Sequence, residues 1–106
     1  MHVEQVYIDT AKVMKALSDP KRLRIVDMLS QGELCANNIQ SSFAVSQPTL
    51  SHDMRVLKEA GITSERRDGK NIFYTLNADA LDGLLKSLEK VFSTECTFTT
   101  EKAENS

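Results

Sequence analysis

Apolar residues return at helical intervals along most of this chain and switch to strict alternation once. Ile8, Ala11, Val13, Met14 and Leu17 fall at near-helical spacing and predict an amphipathic first helix over residues 5 to 18. Asp19-Pro20 restarts the chain, because aspartate is a favoured cap and proline suits the first helical position. Leu23, Val26 and Leu29 are the inward set of a second helix over residues 20 to 30, which Gln31-Gly32 closes. Lys21, Arg22 and Arg24 read as solvated surface charges on it, with a phosphate contact by one of them as the alternative. Residues 33 to 41 predict a third helix that packs through Leu34, Cys35 and Ile39, with Phe43 and Val45 filling the turn that follows. A fourth helix is the best punctuated: Ser46 caps it, Pro48 lies in its first turn, Gly61 follows its end, and Leu50, Met54 and Leu57 recur at i, i+4 and i+7. The period then drops to two. Ile72, Tyr74 and Leu76 alternate with Asn71, Phe73 and Thr75, and Asp68-Gly69-Lys70 separates this run from residues 62 to 67, a strong hairpin signal. Asn77 caps a last helix whose stripe of Leu81, Leu84, Leu85, Leu88, Val91 and Phe92 is broad enough for its own domain and a partner subunit.

A helix followed at once by a basic hairpin describes a winged helix-turn-helix: mainly α with a small β-hairpin, about five helices and a two-stranded wing. The fourth helix alone fits the surface of any small domain equally well; the hairpin changes the balance. Off its apolar stripe the helix carries Gln47, Thr49, Ser51, His52 and Arg55, short donors of the kind that reach base edges and phosphates in a major groove. Arg66, Arg67 and Lys70 cluster near the hairpin turn. With the cap Ser46, these residues form the candidate DNA-contacting set.

Charge first argues against such a partner. The chain has 106 residues and a formal net charge of -2, whereas DNA affinity comes largely from cations that displace counterions from phosphates. The excess lies in residues 95 to 106, an acidic and polar tail whose composition predicts disorder, and residues 1 to 94 are formally neutral. A local basic face on that domain remains, diluted by Asp53 and Asp68, and predicts moderate, salt-sensitive binding. At this length the buried fraction is modest, so a dimer interface would supply part of the core. No run of 18 apolar residues and no signal peptide occurs, so a cytoplasmic protein without a membrane partner is expected, with its two cysteines as reduced thiols. Enzymatic readings lack support: there is no phosphate-binding glycine loop, no metalloprotease motif, and only His2 and His52 as histidines. A winged-helix adaptor that binds protein instead of DNA is the competing reading, favoured by Asp53 on the outer face of the fourth helix.

Four motifs in order resemble the ArsR/SmtB family: residues 16 to 25 (Ala-Leu-Ser-Asp-Pro-Lys-Arg-Leu-Arg-Ile), Glu33-Leu34-Cys35, residues 46 to 52 with 56 to 61, and Asp68-Gly69-Lys70 with Tyr74 and Leu76. The resemblance spans about residues 10 to 93. It implies a homodimeric repressor on an inverted-repeat operator, released by a metal, metalloid or redox signal. It also implies a dimer built from the first and last helices, here through Val13, Leu17, Leu81, Leu84, Leu88 and Phe92. The chain departs from the family at its sensors. Arsenic- and cadmium-sensing members carry Cys-x-Cys where this sequence has Cys35 and Asn37, and one thiolate is too few to hold a thiophilic ion firmly. The zinc and cobalt pattern needs Asp and His on the last helix, where only Asp79 and Asp82 occur. Cys35 and Cys96 together resemble the two-cysteine arrangement of the redox and sulfide-responsive members and are the only soft candidates for a thiophilic metal or metalloid ion. For Cys35 a buried, inert thiol is an equal alternative.

Overall fold

Cap and turn residues place most element boundaries. A computed structural model describes residues 3 to 92. The chain runs α1 (Gln5–Ala16), α2 (Pro20–Leu29), β1 (Leu34–Cys35), α3 (Ala36–Ser42), α4 (Gln47–Glu59), β2 (Thr63–Asp68), β3 (Asn71–Leu76) and α5 (Ala78–Val91). The Asp19 carboxylate accepts from the Arg22 N–H at 3.1 Å and starts α2 on Pro20. The Ser46 hydroxyl accepts from the Thr49 N–H at 3.3 Å and starts α4. Gly61 takes φ 80°, so the Gly61 and Ile62 amides close α4 on the carbonyls of Lys58 and Leu57. Gly69, at φ 65°, makes the hairpin turn, and β2 pairs antiparallel with β3 from Thr63 opposite Leu76 to Asp68 opposite Asn71.

The expected third helix over residues 33 to 41 begins only at Ala36. Leu34 and Cys35 instead pair with Tyr74 and Phe73, which makes the wing a three-stranded sheet in the order β1-β3-β2 rather than a two-stranded one. The physical reason is edge satisfaction: β3 has two hydrogen-bonding edges, the hairpin uses one, and two extended residues cover part of the other. Cys35 is therefore the extended N-cap of α3 and not a residue within it.

The core joins Ala16 of α1, Ile25, Val26 and Leu29 of α2, Ile39 of α3, Leu50, Met54 and Leu57 of α4, Ile62, and Tyr74 of β3. Leu23, expected to face inward, is 54% exposed, and Ile25 takes that place at 1%. At about 100° per residue Ile25, Val26 and Leu29 share one arc of α2, and Leu23 falls outside it. Asn77 does precede α5, but its side chain makes no cap bond there; it donates to the Gly61 carbonyl and accepts from the Ser64 hydroxyl, tying the end of α4 to the sheet.

α5 is amphipathic yet buries none of its residues completely. It packs on α1, and Val13, Leu17 and Leu81 lean on the core. Leu84 and Leu88 are half-buried, while Leu85, Val91 and Phe92 are exposed together with Val6, Tyr7, Ile8 and Met14 of α1. A single chain thus leaves large apolar side chains uncovered on both of these helices.

Candidate nucleic-acid interface

Burial of Leu50, Met54 and Leu57 leaves the rest of α4 outward: Ser51, His52 and Arg55 are exposed off the stripe, and Gln47 is exposed at the first position of the helix. Ser46 and Thr49 serve the helix start as well: besides the backbone cap, the Ser46 hydroxyl donates to the Thr49 hydroxyl at 3.0 Å. The first amides of α4 lack intrahelical acceptors, and the positive end of the helix dipole favours a phosphate.

The predicted residues divide between two flanks of α4. On one flank Ser51 and Arg55 meet Arg67 of the wing across a groove that also holds Lys58 and Glu65, the latter two paired at 3.8 Å. On the other, His52 lines a cleft with Lys12 and Lys15 of α1 and with Arg22. Lys12 and Lys15 were not expected at the interface. Their three-residue spacing puts them on one face of α1, but only the tertiary fold brings that face to the cleft that His52 lines.

Arg66, Arg67 and Lys70 are all exposed on the wing, but Arg66 is engaged by the protein's own side chains. Its Nε and Nη2 donate to the two Glu33 carboxylate oxygens at 3.0 and 2.9 Å, and its guanidinium lies 4.4 Å from the Phe73 ring centre. The Thr75 hydroxyl donates to the same carboxylate. Hydrogen bonding from Arg66 holds the Glu33 carboxyl below its ordinary range despite some desolvation. A depressed carboxyl contributes its stability above the ordinary value and loses it as pH falls through the depressed one, so this brace is intact at neutral pH. Glu33→Gln should release Arg66 toward phosphate. Salt titration of DNA binding is expected to give a slope steeper by about one counterion; an unchanged slope would exclude Arg66 as a phosphate contact.

Asp53 overturns an expectation. Instead of facing outward it is 3% exposed, with its carboxylate against Arg22 and Lys21. At about 100° per residue it lies nearer the Leu50, Met54 and Leu57 stripe than Ser51 or Arg55 do. Arg22, expected as a solvated charge, is correspondingly drawn in, its side chain 15% exposed. The acidic blemish on the outer face, which favoured a protein-binding adaptor, is not there.

Cys35 is a half-buried free thiol beside β3. Cys96, and with it the suggested pairing, lies outside the described residues. Among the described residues no three metal-ligating side chains gather at one place, and Asp79 and Asp82 are exposed, Asp82 paired with Lys86 at 3.1 Å. Among the described residues no helix is long and apolar enough to cross a membrane.

Comparison with known proteins gives this geometry a context. Residues 19–64 match the family model described as bacterial regulatory protein, arsR family, a span that covers α2 through the start of β2. An arsenical resistance operon repressor of Staphylococcus xylosus is 42% identical over 83 residues, covering 78% of this chain and 80% of that protein. A cadmium resistance transcriptional regulatory protein, a CadC homolog of Staphylococcus aureus, is 41% identical over 86 residues, covering 80% of this chain and 69% of that one. Among solved structures, a possible transcriptional regulator for arsenical resistance superposes with a TM-score of 0.71 at 28% identity, covering 86% of this chain and 94% of the other.

Proposed function

The chain belongs to the arsR family of bacterial regulatory proteins and is a DNA-binding transcriptional regulator rather than an enzyme, and from that premise we propose that it acts as a homodimeric repressor on an inverted-repeat operator. The observation that carries this reading is the pairing of two exposed faces of opposite character. The uncovered apolar side chains of α1 and α5 suit a second copy of the chain, and the polar face of α4 beside the basic wing suits a duplex. A twofold dimer presents two copies of α4, so half-sites lie about one helical turn apart, roughly 10 bp, or at a multiple of it.

Gln47, Ser51, His52 and Arg55 read base edges in this account, with Ser46 and Thr49 at the helix tip, Arg67 and Lys70 on phosphates, and Arg66 kept from them by Glu33. Arg67→Ala or Lys70→Ala should weaken binding to every sequence and each flatten the salt slope by about one. Gln47→Ala should instead cost about 1–3 kcal/mol on the operator alone. Anisotropy titrations on operator and shuffled duplexes separate the two classes; equal loss on both duplexes for Gln47→Ala would remove it from base reading.

The release signal in this account is a thiophilic ion or a thiol-reactive oxidant taken up by Cys35 together with Cys96. Relatives named for arsenical and cadmium resistance support a soft ligand, and Cys35 caps the helix that precedes α4 in the helix-turn-helix. Cys35→Ser and Cys96→Ser should each give a repressor that binds DNA but no longer lets go on induction. Normal release from the double serine variant would place the sensor elsewhere.

A further inference from the structure

Apolar contacts are non-directional, so Leu50, Met54 and Leu57 alone would let α4 settle over a range of rotations about its axis. A directional contact is needed to decide which polar side chains point outward, and one exists at Asp53. Its Oδ1 accepts from Arg22 Nη1 at 3.2 Å, and its Oδ2 lies 3.5 Å from Lys21 Nζ, so each oxygen faces a different cation. Arg22 Nε donates at 2.6 Å to the carbonyl of Ala16, the last residue of α1, where carbonyls lack intrahelical donors. One planar guanidinium therefore grips the end of α1 and the middle of α4. Its own backbone is pinned, because the Arg22 amide is the donor that Asp19 caps.

From this geometry, and resting on the operator-binding reading above, we infer that Arg22 is a positioning residue for sequence recognition, setting the rotation of α4 against α1 so that Gln47, Ser51 and Arg55 meet base edges in register. With a helix radius of about 5 Å, a rotation of about 30° moves a side-chain tip by about 3 Å, which is the length of a hydrogen bond. Rotation toward the core would bury the Asp53 carboxylate away from its cations, and rotation outward would break the same pair. A buried ion pair adds little to stability over apolar residues of the same size, yet it penalises alternative arrangements. The fork geometry is specific to arginine, since an ammonium is a point donor that does not span two acceptors in one plane. Because α1 also carries part of the exposed apolar face, the same contact links α4 to the proposed dimer helices.

The test replaces the pair as a unit, Arg22→Met with Asp53→Leu, in the full chain. Binding is measured to a duplex that the wild type enriches from a random-sequence library and to a shuffled duplex of the same length, alongside melting temperature and mass in solution. The expected result is an intact fold and dimer and an operator-to-shuffled ratio lowered on the order of tenfold. A ratio lowered less than about threefold, about 0.65 kcal/mol, would overturn the inference and leave the pair a packing detail. If the double variant does not fold, Arg22→Lys, which keeps a cation opposite Asp53 without the second grip, is judged by the same ratio. Failure of the wild type to enrich any duplex would remove the operator reading itself and this inference with it.

Discussion

Leu85→Lys combined with Phe92→Lys is expected to give a folded monomer and to lower operator affinity by about a hundredfold or more, about 2.7 kcal/mol or more, if the proposed dimer forms through these residues. Leu85 is 61% and Phe92 69% exposed in the single chain, so lysines there leave the monomer's own packing largely untouched. In the proposed dimer the same positions would be covered twice, once from each protomer, and burying a Leu or Phe side chain is worth about 1.5–3 kcal/mol. Charges placed across such an interface remain unpaired and force the subunits apart. A monomer engages one half-site and loses the advantage of two linked contacts. Sedimentation, circular dichroism and a gel shift on the same sample check all three parts. A wild-type monomer that binds a palindrome tightly, or a double-lysine dimer, would contradict the proposed assembly.

Leu57→Ala is the second large effect, and it falls on stability. Leu57 is fully buried at the centre of the core that seats α4. Truncating a buried leucine removes its transfer energy and leaves a cavity, at a cost of about 2–5 kcal/mol. That is a large share of the roughly 5–15 kcal/mol that holds a domain folded, and a melting temperature lower by on the order of 10–30 °C follows for a domain of this size. Leu23→Ala on the exposed side of α2 serves as the control and should change stability by less than about 0.5 kcal/mol. Similar melting temperatures for the two variants would mean that α4 is not seated as described.

What was legible beforehand follows from the range of each signal. Asp19-Pro20, Ser46 with Pro48, and Asp68-Gly69-Lys70 act through bonds to residues a few positions away, so the helix starts and the hairpin could be read locally. The stripe of Leu50, Met54 and Leu57 set the outer face of α4 for the same reason. β1 could not be read, because two residues carry no period and their partners, Tyr74 and Phe73, are far along the chain. The same distance hid the commitment of Arg66 to Glu33 and of Arg22 to Asp53. Charged residues read as surface because most are, and only the meeting of α2 with α4 turns Asp53 into a buried anchor. Leu23 was expected inward because it stands three residues before Val26, but the arc that packs is Ile25, Val26 and Leu29, and the neighbours of the helix decided it.

The measurement that bears most directly on the central claim is selection of duplexes from a random-sequence library by the intact protein, followed by sequencing of the enriched pool. A dimer that places two copies of α4 in successive major grooves predicts an inverted repeat, its half-sites centred about 10 bp apart or at a multiple of it. Enrichment of a single asymmetric site, or of no sequence at all, would contradict a dimeric repressor that reads DNA through α4.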